Sequence, residues 1–236
     1  MATGHTVKSF DEELGALRGL VSQMGGQAEA QIASAIQAIV ARDPDSAPTI
    51  VGRDKAIDAL EQEIEQLAIT IIARRAPMAD DLRDVIAAMK IASIIERIAD
   101  YAKNIAKRST VLAASTPIEP VVIIPEIGRA VAAMVKSALD SYVSRDAEMA
   151  LQVCDRDQQV DDLYNSLFRS LLTYMMENPH LITPSTHLLF IAKNLERIGD
   201  HATNIAEIVY YSVKGQMPGE RAKGDSTSYS AVVPRQ

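Results

Sequence analysis

Glu96-Arg97-Ile98-Ala99-Asp100-Tyr101-Ala102-Lys103-Asn104-Ile105-Ala106 and Glu196-Arg197-Ile198-Gly199-Asp200-His201-Ala202-Thr203-Asn204-Ile205-Ala206 are two versions of one pattern. Their apolar residues recur three and four apart, the period of an α-helix with one buried face. Extended outward, Met89–Ala106 aligns with Leu189–Ala206 at an offset of 100, with 10 of 18 positions identical. Upstream, Ala30–Asp58 aligns with Ala133–Asp161 at an offset of 103, with 10 of 29 identical. Arg42/Arg145, Asp43/Asp146, Arg53/Arg156, Asp54/Asp157 and Asp58/Asp161 are among these. The change of offset falls between helices, around Pro77 and Pro179. Self-similarity of this kind makes each copy a structural unit.

The same helical period fills most of the chain. It predicts helices over about 10–42, 48–75, 80–112, 126–145, 147–177 and 184–214. Asp43-Pro44 interrupts the first two, and Pro77 stops the second because proline cannot continue a helix interior. Asp80 or Asp81 is placed to offer a carboxylate to the free N–H groups that open the third. Three prolines and the β-branched run 121–124 make 116–125 an extended connection. The expected organisation is all-α: two similar antiparallel three-helix bundles, 10–113 and 126–214, joined by a linker over 114–125. The composition of 215–236 predicts a flexible tail.

Composition narrows the function. Hydrophobic residues make up 47% of the 236 residues, enough for an aliphatic core, while aromatics are only 4%. The net charge of −7 argues against nucleic-acid binding, which draws its energy from Lys/Arg contacts to phosphates. Cys154 is the single cysteine, so no intramolecular disulfide forms. The acidic Asp11-Glu12-Glu13 stands where a secretory signal needs an apolar run. No stretch has the roughly 18 apolar residues of a membrane span. A cytoplasmic protein, at a membrane only through partners, is expected.

Each repeated segment carries Glu, Asp and Asn at i, i+4 and i+8, which lie along one helix face. The preceding helix of each copy adds Asp54 and Asp58, or Asp157 and Asp161. Like charges at this spacing cost roughly 0.2–0.5 kcal/mol per pair. A hard cation would remove that cost, and an all-oxygen donor set suits Mg, Mn, Ca or iron. Arg97, Arg197 and Lys103 offer neutralisation without metal, although Thr203 replaces the lysine in the second copy.

The duplicated E-R-I-[AG]-D-x-A-x-N-I-A motif, each behind a D-x-x-x-D helix, resembles the PhoU family over about 10–214. That resemblance implies two symmetric bundles whose acidic motifs bind divalent or iron-type metal ions. Carried over by position, one site uses Asp54, Asp58, Glu96, Asp100 and Asn104; the other uses Asp157, Asp161, Glu196, Asp200 and Asn204. The resemblance also implies a non-enzymatic negative regulator of phosphate uptake and phosphate-starvation signalling. Its partners would be the phosphate ABC transporter, through the ATPase subunit, and a phosphate-sensing histidine kinase. A self-associating helical protein, a homodimer, is expected. The alternative is a metal-dependent enzyme in which the acidic clusters activate water; a third is a helical scaffold with merely solvated acidic faces.

Other features read as structure. Glu177-Asn178-Pro179-His180 has E-x-x-H spacing but contains a proline and has no counterpart, which marks a helix end. His201 aligns with Tyr101 and Cys154 with Val51, so neither is expected to be a required reactive group. Met24, Met89, Met134, Met175 and Met176 sit at core spacing, and Arg74-Arg75 suits the negative end of a helix dipole.

Overall fold

The computed structural model describes residues 3–219. Helices α1 Thr3–Ala41, α2 Ala47–Gly52, α3 Asp54–Arg75 and α4 Ala79–Ala114 form the first half. Helices α5 Ile124–Ser144, α6 Ala147–Asp155, α7 Asp157–Glu177 and α8 Ile182–Lys214 form the second. The architecture is all-α and duplicated, as the repeat requires: each half is an antiparallel three-helix bundle whose middle helix is broken.

The breaks lie at Arg53, between α2 and α3, and at Arg156, between α6 and α7. Both are equivalent positions in the repeat. Arg53 Nη1 donates to Ser34 Oγ at 3.0 Å, and Arg156 Nη1 donates to Ser137 Oγ at 3.2 Å. The two serines are themselves 103 apart, so both copies fix their kink with the same side-chain bond. The expected unbroken runs 48–75 and 147–177 are corrected here.

The first helices end alike as well. Arg42 and Arg145 follow α1 and α5 with φ of 52° and 54°, the left-handed conformation that lets a final amide turn back onto the helix. Arg145 N–H reaches the Ser141 and Tyr142 carbonyls. The Arg42 guanidinium donates to the carbonyls of Ala113 and Ser115, groups left open where α4 stops. At the start of α4, Met78 is the cap and no side chain serves that role; Asp80 and Asp81 instead place charge in the first turn. Arg75 does more than complement a dipole: it grips Glu13 of α1 at 2.8 and 2.9 Å.

The connection between halves is not extended. Glu119–Ile123 winds into a 3-10 turn, with Ile118 and Pro120 buried. A cavity of about 350 Å³ opens beside it, lined by Ile39, Arg42, Leu112, Ile118, Val121 and Leu188 among others. Gly215, with φ of 72°, closes α8 against Arg83. From 220 onward, the predicted flexible tail lies outside the described residues.

The halves pack through α1 against α5 and α4 against α8. At the first crossing, a Cβ on Gly25 would stand 2.5 Å from Leu139 Cδ1, and one on Gly128 would stand 2.3 Å from Ile36 Cδ1. Gly25/Gly128 and Ile36/Leu139 are repeat equivalents, so each half inserts an aliphatic side chain over the other's glycine. At the second crossing Tyr101 stacks on its own counterpart, His201, with ring centroids 5.5 Å apart and planes 19° from parallel. A local twofold axis therefore passes between them. α3, α4, α8 and α7 make one layer in that order, with α1 and α5 behind.

The core is aliphatic: Val21, Ile32, Ile64, Ile91, Ile95, Ile98, Ile191 and Ile198 are fully buried. Met24 and Met134 join it, and Cys154 is buried with its thiol on the Ala150 carbonyl. Met176 corrects the expectation, being 85% exposed near the end of α7. His180 is exposed in a 3-10 turn after α7, so the E-x-x-H spacing does mark a helix end.

Candidate functional site

The acidic ladders of each copy face one another across the groove between its last two helices. In the first copy α3 presents Asp54, Asp58 and Glu61, and α4 presents Glu96 and Asp100, all half-buried. Burial pushes the Glu96 carboxyl above the usual carboxylate range, and the charges of Asp100, Glu61, Asp58 and Asp54 push it further. Lys103 closes this cluster. Its ammonium lies 2.5 Å from Asp54 Oδ2 and also pairs with Asp100, joining α3 to α4. Burial opposes the lysine's charge, but the hydrogen bonds to Asp100 and Asp54 outweigh it and hold the pKa above the usual lysine range.

The second copy uses another lysine. Lys193 stands where the first copy has Ser93, and its Nζ is 2.6 Å from both carboxylate oxygens of Glu196. Burial raises the Glu196 pKa; the Lys193 bond opposes this, while Asp200 and Asp161 add to it. Asp157 and Asp161 lie half-buried on α7, and Asp157 Oδ1 is 3.7 Å from where a Cβ on Gly199 would stand. An alanine at this position, as at Ala99 of the first copy, would stand in ordinary contact with that carboxylate.

Within each copy the carboxylates lie close enough to act on one another's charge: Asp54, Asp58, Glu61 and Asp100 on Glu96, and Asp161 and Asp200 on Glu196. Among the described residues, neither amide hydrogen-bonds a carboxylate of its copy. Asn104 is exposed one turn beyond Asp100, and Asn204 turns its Nδ2 to within 3.5 Å of His201 Nδ1. Glu61 and Lys193 are site residues that the sequence reading missed. Glu61 stands seven residues after Asp54, on the same helix face, but Tyr164 is its counterpart and the repeat hides it. Lys193 lies three residues before Glu196, a spacing at which side chains meet.

In kind, these donors suit a hard cation: all are oxygens, and carboxylates outnumber ammonium groups in both clusters. Among the described residues, no three His, Cys, Asp or Glu side chains converge as a metal-holding group. Lys103 already engages two of the first copy's carboxylates.

Between the acidic clusters, α4 and α8 carry a basic and aromatic seam. The Arg197 guanidinium lies 5.7 Å from the Tyr101 ring centroid. Burial lowers the His201 pKa, and Arg97 and Arg197 lower it further against the pull of Asp200. Farther along, Arg108 lies 4.3 Å over the Phe190 ring and 3.3 Å from His187 Nδ1. No helix among the described residues is long and apolar enough to cross a membrane.

The model of the PhoU domain matches residues 21–109 and 124–209, one match per half. The phosphate-specific transport system accessory protein PhoU homolog of Zymomonas mobilis is 56% identical over 94% of this chain and 93% of its own length. The protein of the same name in Caulobacter vibrioides is 48% identical over 96% and 99%. The crystal structure of PhoU from Pseudomonas aeruginosa superposes with a TM-score of 0.84 at 38% identity, over 88% of this chain and all of that one. The regulatory protein PhoU from Streptococcus pneumoniae gives 0.80 at 26% identity, over 89% and 99%. With both halves matched and relatives aligned nearly end to end, the chain belongs to the PhoU family.

Proposed function

We propose that the protein is the accessory regulator of a phosphate-specific transport system, acting by binding rather than catalysis. In phosphate-rich conditions it holds the phosphate ABC transporter and a phosphate-sensing histidine kinase in their repressed states. The observation that carries this reading is the 56% identity, over almost the whole of both chains, to a protein named for that system. Retention of both halves of the duplicated bundle supports it. In this reading the layer α3–α4–α8–α7 is the face that partners meet.

Metal enters the proposal as an organiser of that face. Asp54, Asp58, Glu96 and Asp100 would hold cations in the first copy, and Asp157, Asp161, Glu196 and Asp200 in the second, with Asn104 and Asn204 as outlying donors. A bound divalent or iron-type ion would supply positive charge to carboxylates that otherwise repel. The chain's own part is to hold those carboxylates in two half-buried grooves, with Lys103 and Lys193 as resident counter-charges.

A deletion strain tests the regulatory reading. Grown in phosphate-rich medium, it is expected to express phosphate-starvation genes that the wild type keeps silent, with silence restored by the intact gene. Unchanged repression in the deletion would overturn it.

A further inference from the structure

We propose that the cavity beside the 119–123 turn binds a small aliphatic monocarboxylate, its carboxylate held by Arg42 and its hydrocarbon body by the apolar wall. The proposal stands apart from the regulatory reading, because it draws on neither the acidic grooves nor the partners. The repeat itself shows what this place lacks. Arg42 and Arg145 are equivalents that follow α1 and α5 in the same left-handed conformation. Arg145 pairs with Asp84, which also holds Arg18. The Tyr142 ring is buried beside them, near enough for all three charges to act on its hydroxyl. At the same two offsets the sequence has Pro184 for Asp84, Val121 for Arg18 and Ile39 for Tyr142. A carboxylate, a guanidinium and an aromatic ring are replaced by aliphatic side chains, while the arginine is kept. The cavity of about 350 Å³ stands in the corresponding place: Ile39, Arg42 and Val121 line it, and so does Leu188, one turn along α8 from Pro184.

What remains defines the ligand. Among the described residues no carboxylate pairs with Arg42. Its Nη2 donates to the carbonyls of Ala113 and Ser115, which leaves Nε and Nη1 as donors with no protein partner. A half-buried charge against an apolar wall is costly until an anion joins it. The planar fork of a guanidinium matches one carboxylate, the group that Asp84 offers to Arg145. Around it the lining is aliphatic, with Val40 and Val122 as its exposed members. Such a wall favours a hydrocarbon body, and the cavity is within the size range of small-molecule sites. A free phosphate or a dicarboxylate is disfavoured, because Arg42 is the one charged residue of the lining and a second negative charge meets no cation. A ligand bound here touches α1 and α4 of the first half and α8 of the second. It therefore adds, at one end of α4, the kind of tie between halves that Asp84 makes at the other.

The test titrates octanoate into the intact chain and follows binding by calorimetry and by thermal melting. Octan-1-ol and acetate serve as probes that lack the charge or the body. Octanoate is expected to fill a single site per chain and to raise the melting temperature, as a ligand of the folded state does. Octan-1-ol and acetate should each bind about tenfold more weakly or worse, the loss that follows removal of a charge-assisted bond or of buried hydrocarbon. Pro184→Asp supplies Arg42 with the carboxylate that Asp84 supplies to Arg145. It should melt at or above the wild-type temperature and weaken octanoate by about tenfold or more. Should Pro184→Asp melt early, Val121→Phe, which fills the cavity and leaves Arg42 in place, carries the reading with an equal loss. Met176→Gln, at an exposed site on α7, is the control and should bind as wild type does. No saturable binding by the wild type at millimolar octanoate overturns the proposal. Octan-1-ol or acetate binding as tightly as octanoate overturns it too, by removing the need for the charge or the body. Wild-type-like binding by both Pro184→Asp and Val121→Phe places octanoate elsewhere on the chain and overturns it as well.

Discussion

Lys103 and Lys193 occupy different repeat positions, yet each delivers an ammonium to the acidic groove of its own half. Charge balance does not require a fixed position: the two lysines stand ten residues apart in repeat register, nearly three helix turns, and each side chain is long enough to reach its groove. Burial, and after it the neighbouring carboxylates, leave Glu96 costly to ionise, which gives a pH prediction. A carboxyl whose pKa is raised on folding contributes stability that is present below its unfolded pKa and lost as pH rises through the folded one. In metal-free buffer at pH 7.5, Glu96→Gln is therefore expected to melt at a higher temperature than wild type. The difference should vanish as pH falls below about 4.3, where the wild-type side chain is itself protonated. If divalent ions bind the groove, adding them reverses the order at pH 7.5; melting curves with chelator and with added Mg or Mn read both effects. The carboxylate ladders were legible because i, i+4 spacing survives in both copies. Glu61 and Lys193 were obscured because each belongs to one copy only. The neighbours of Asn104 and Asn204 depend on rotamers, which spacing does not determine.

Helices were legible wherever apolar periodicity ran uninterrupted, and boundaries marked by Pro44, Pro77 and Pro179 fell where proline chemistry puts them. The kinks at Arg53 and Arg156 were not legible: apolar spacing runs through both, and the feature that accompanies each is a bond to a serine nineteen residues earlier, on the neighbouring helix. Glycine meaning was equally hidden. Gly15, Gly19 and Gly25 all sit inside α1, but a Cβ meets nothing within 4 Å at the first two and Leu139 at the third. Gly19→Ala is expected to stabilise the protein by about 0.5–1 kcal/mol, the helix-propensity difference. Gly128→Leu, aimed at Ile36, is expected to destabilise it by about 1–3 kcal/mol through overpacking. Urea titration of both variants checks the opposite signs; a stabilised Gly128→Leu would mean that the α1–α5 crossing is loose.

At the scale of the whole molecule, duplication announced two bundles but not how they join. That depends on a buried carboxylate with no acidic counterpart: Asp84 of α4 aligns with Pro184. Asp84 accepts from Arg18 of α1 at 2.7 Å and from Arg145, just past α5, so one side chain ties the first half internally and to the second. Asp84→Ala leaves two guanidinium groups without their shared acceptor and is expected to cost about 1–3 kcal/mol, somewhat below a fully buried pair because both arginines reach solvent. Hydrogen exchange should locate the loosening around Arg18 in the middle of α1 and at the end of α5 rather than in α7; loosening confined to α1 and α4 would argue that Asp84 supports only its own half. The stacked Tyr101 and His201 carry a different lesson. In an assembly of two identical half-length chains, a residue on the axis faces its own image, so one codon change alters both sides together. Fusing the halves into one gene uncouples them. Each ring can then change on its own, so a substitution at Tyr101 or His201 alters one side of the axis alone.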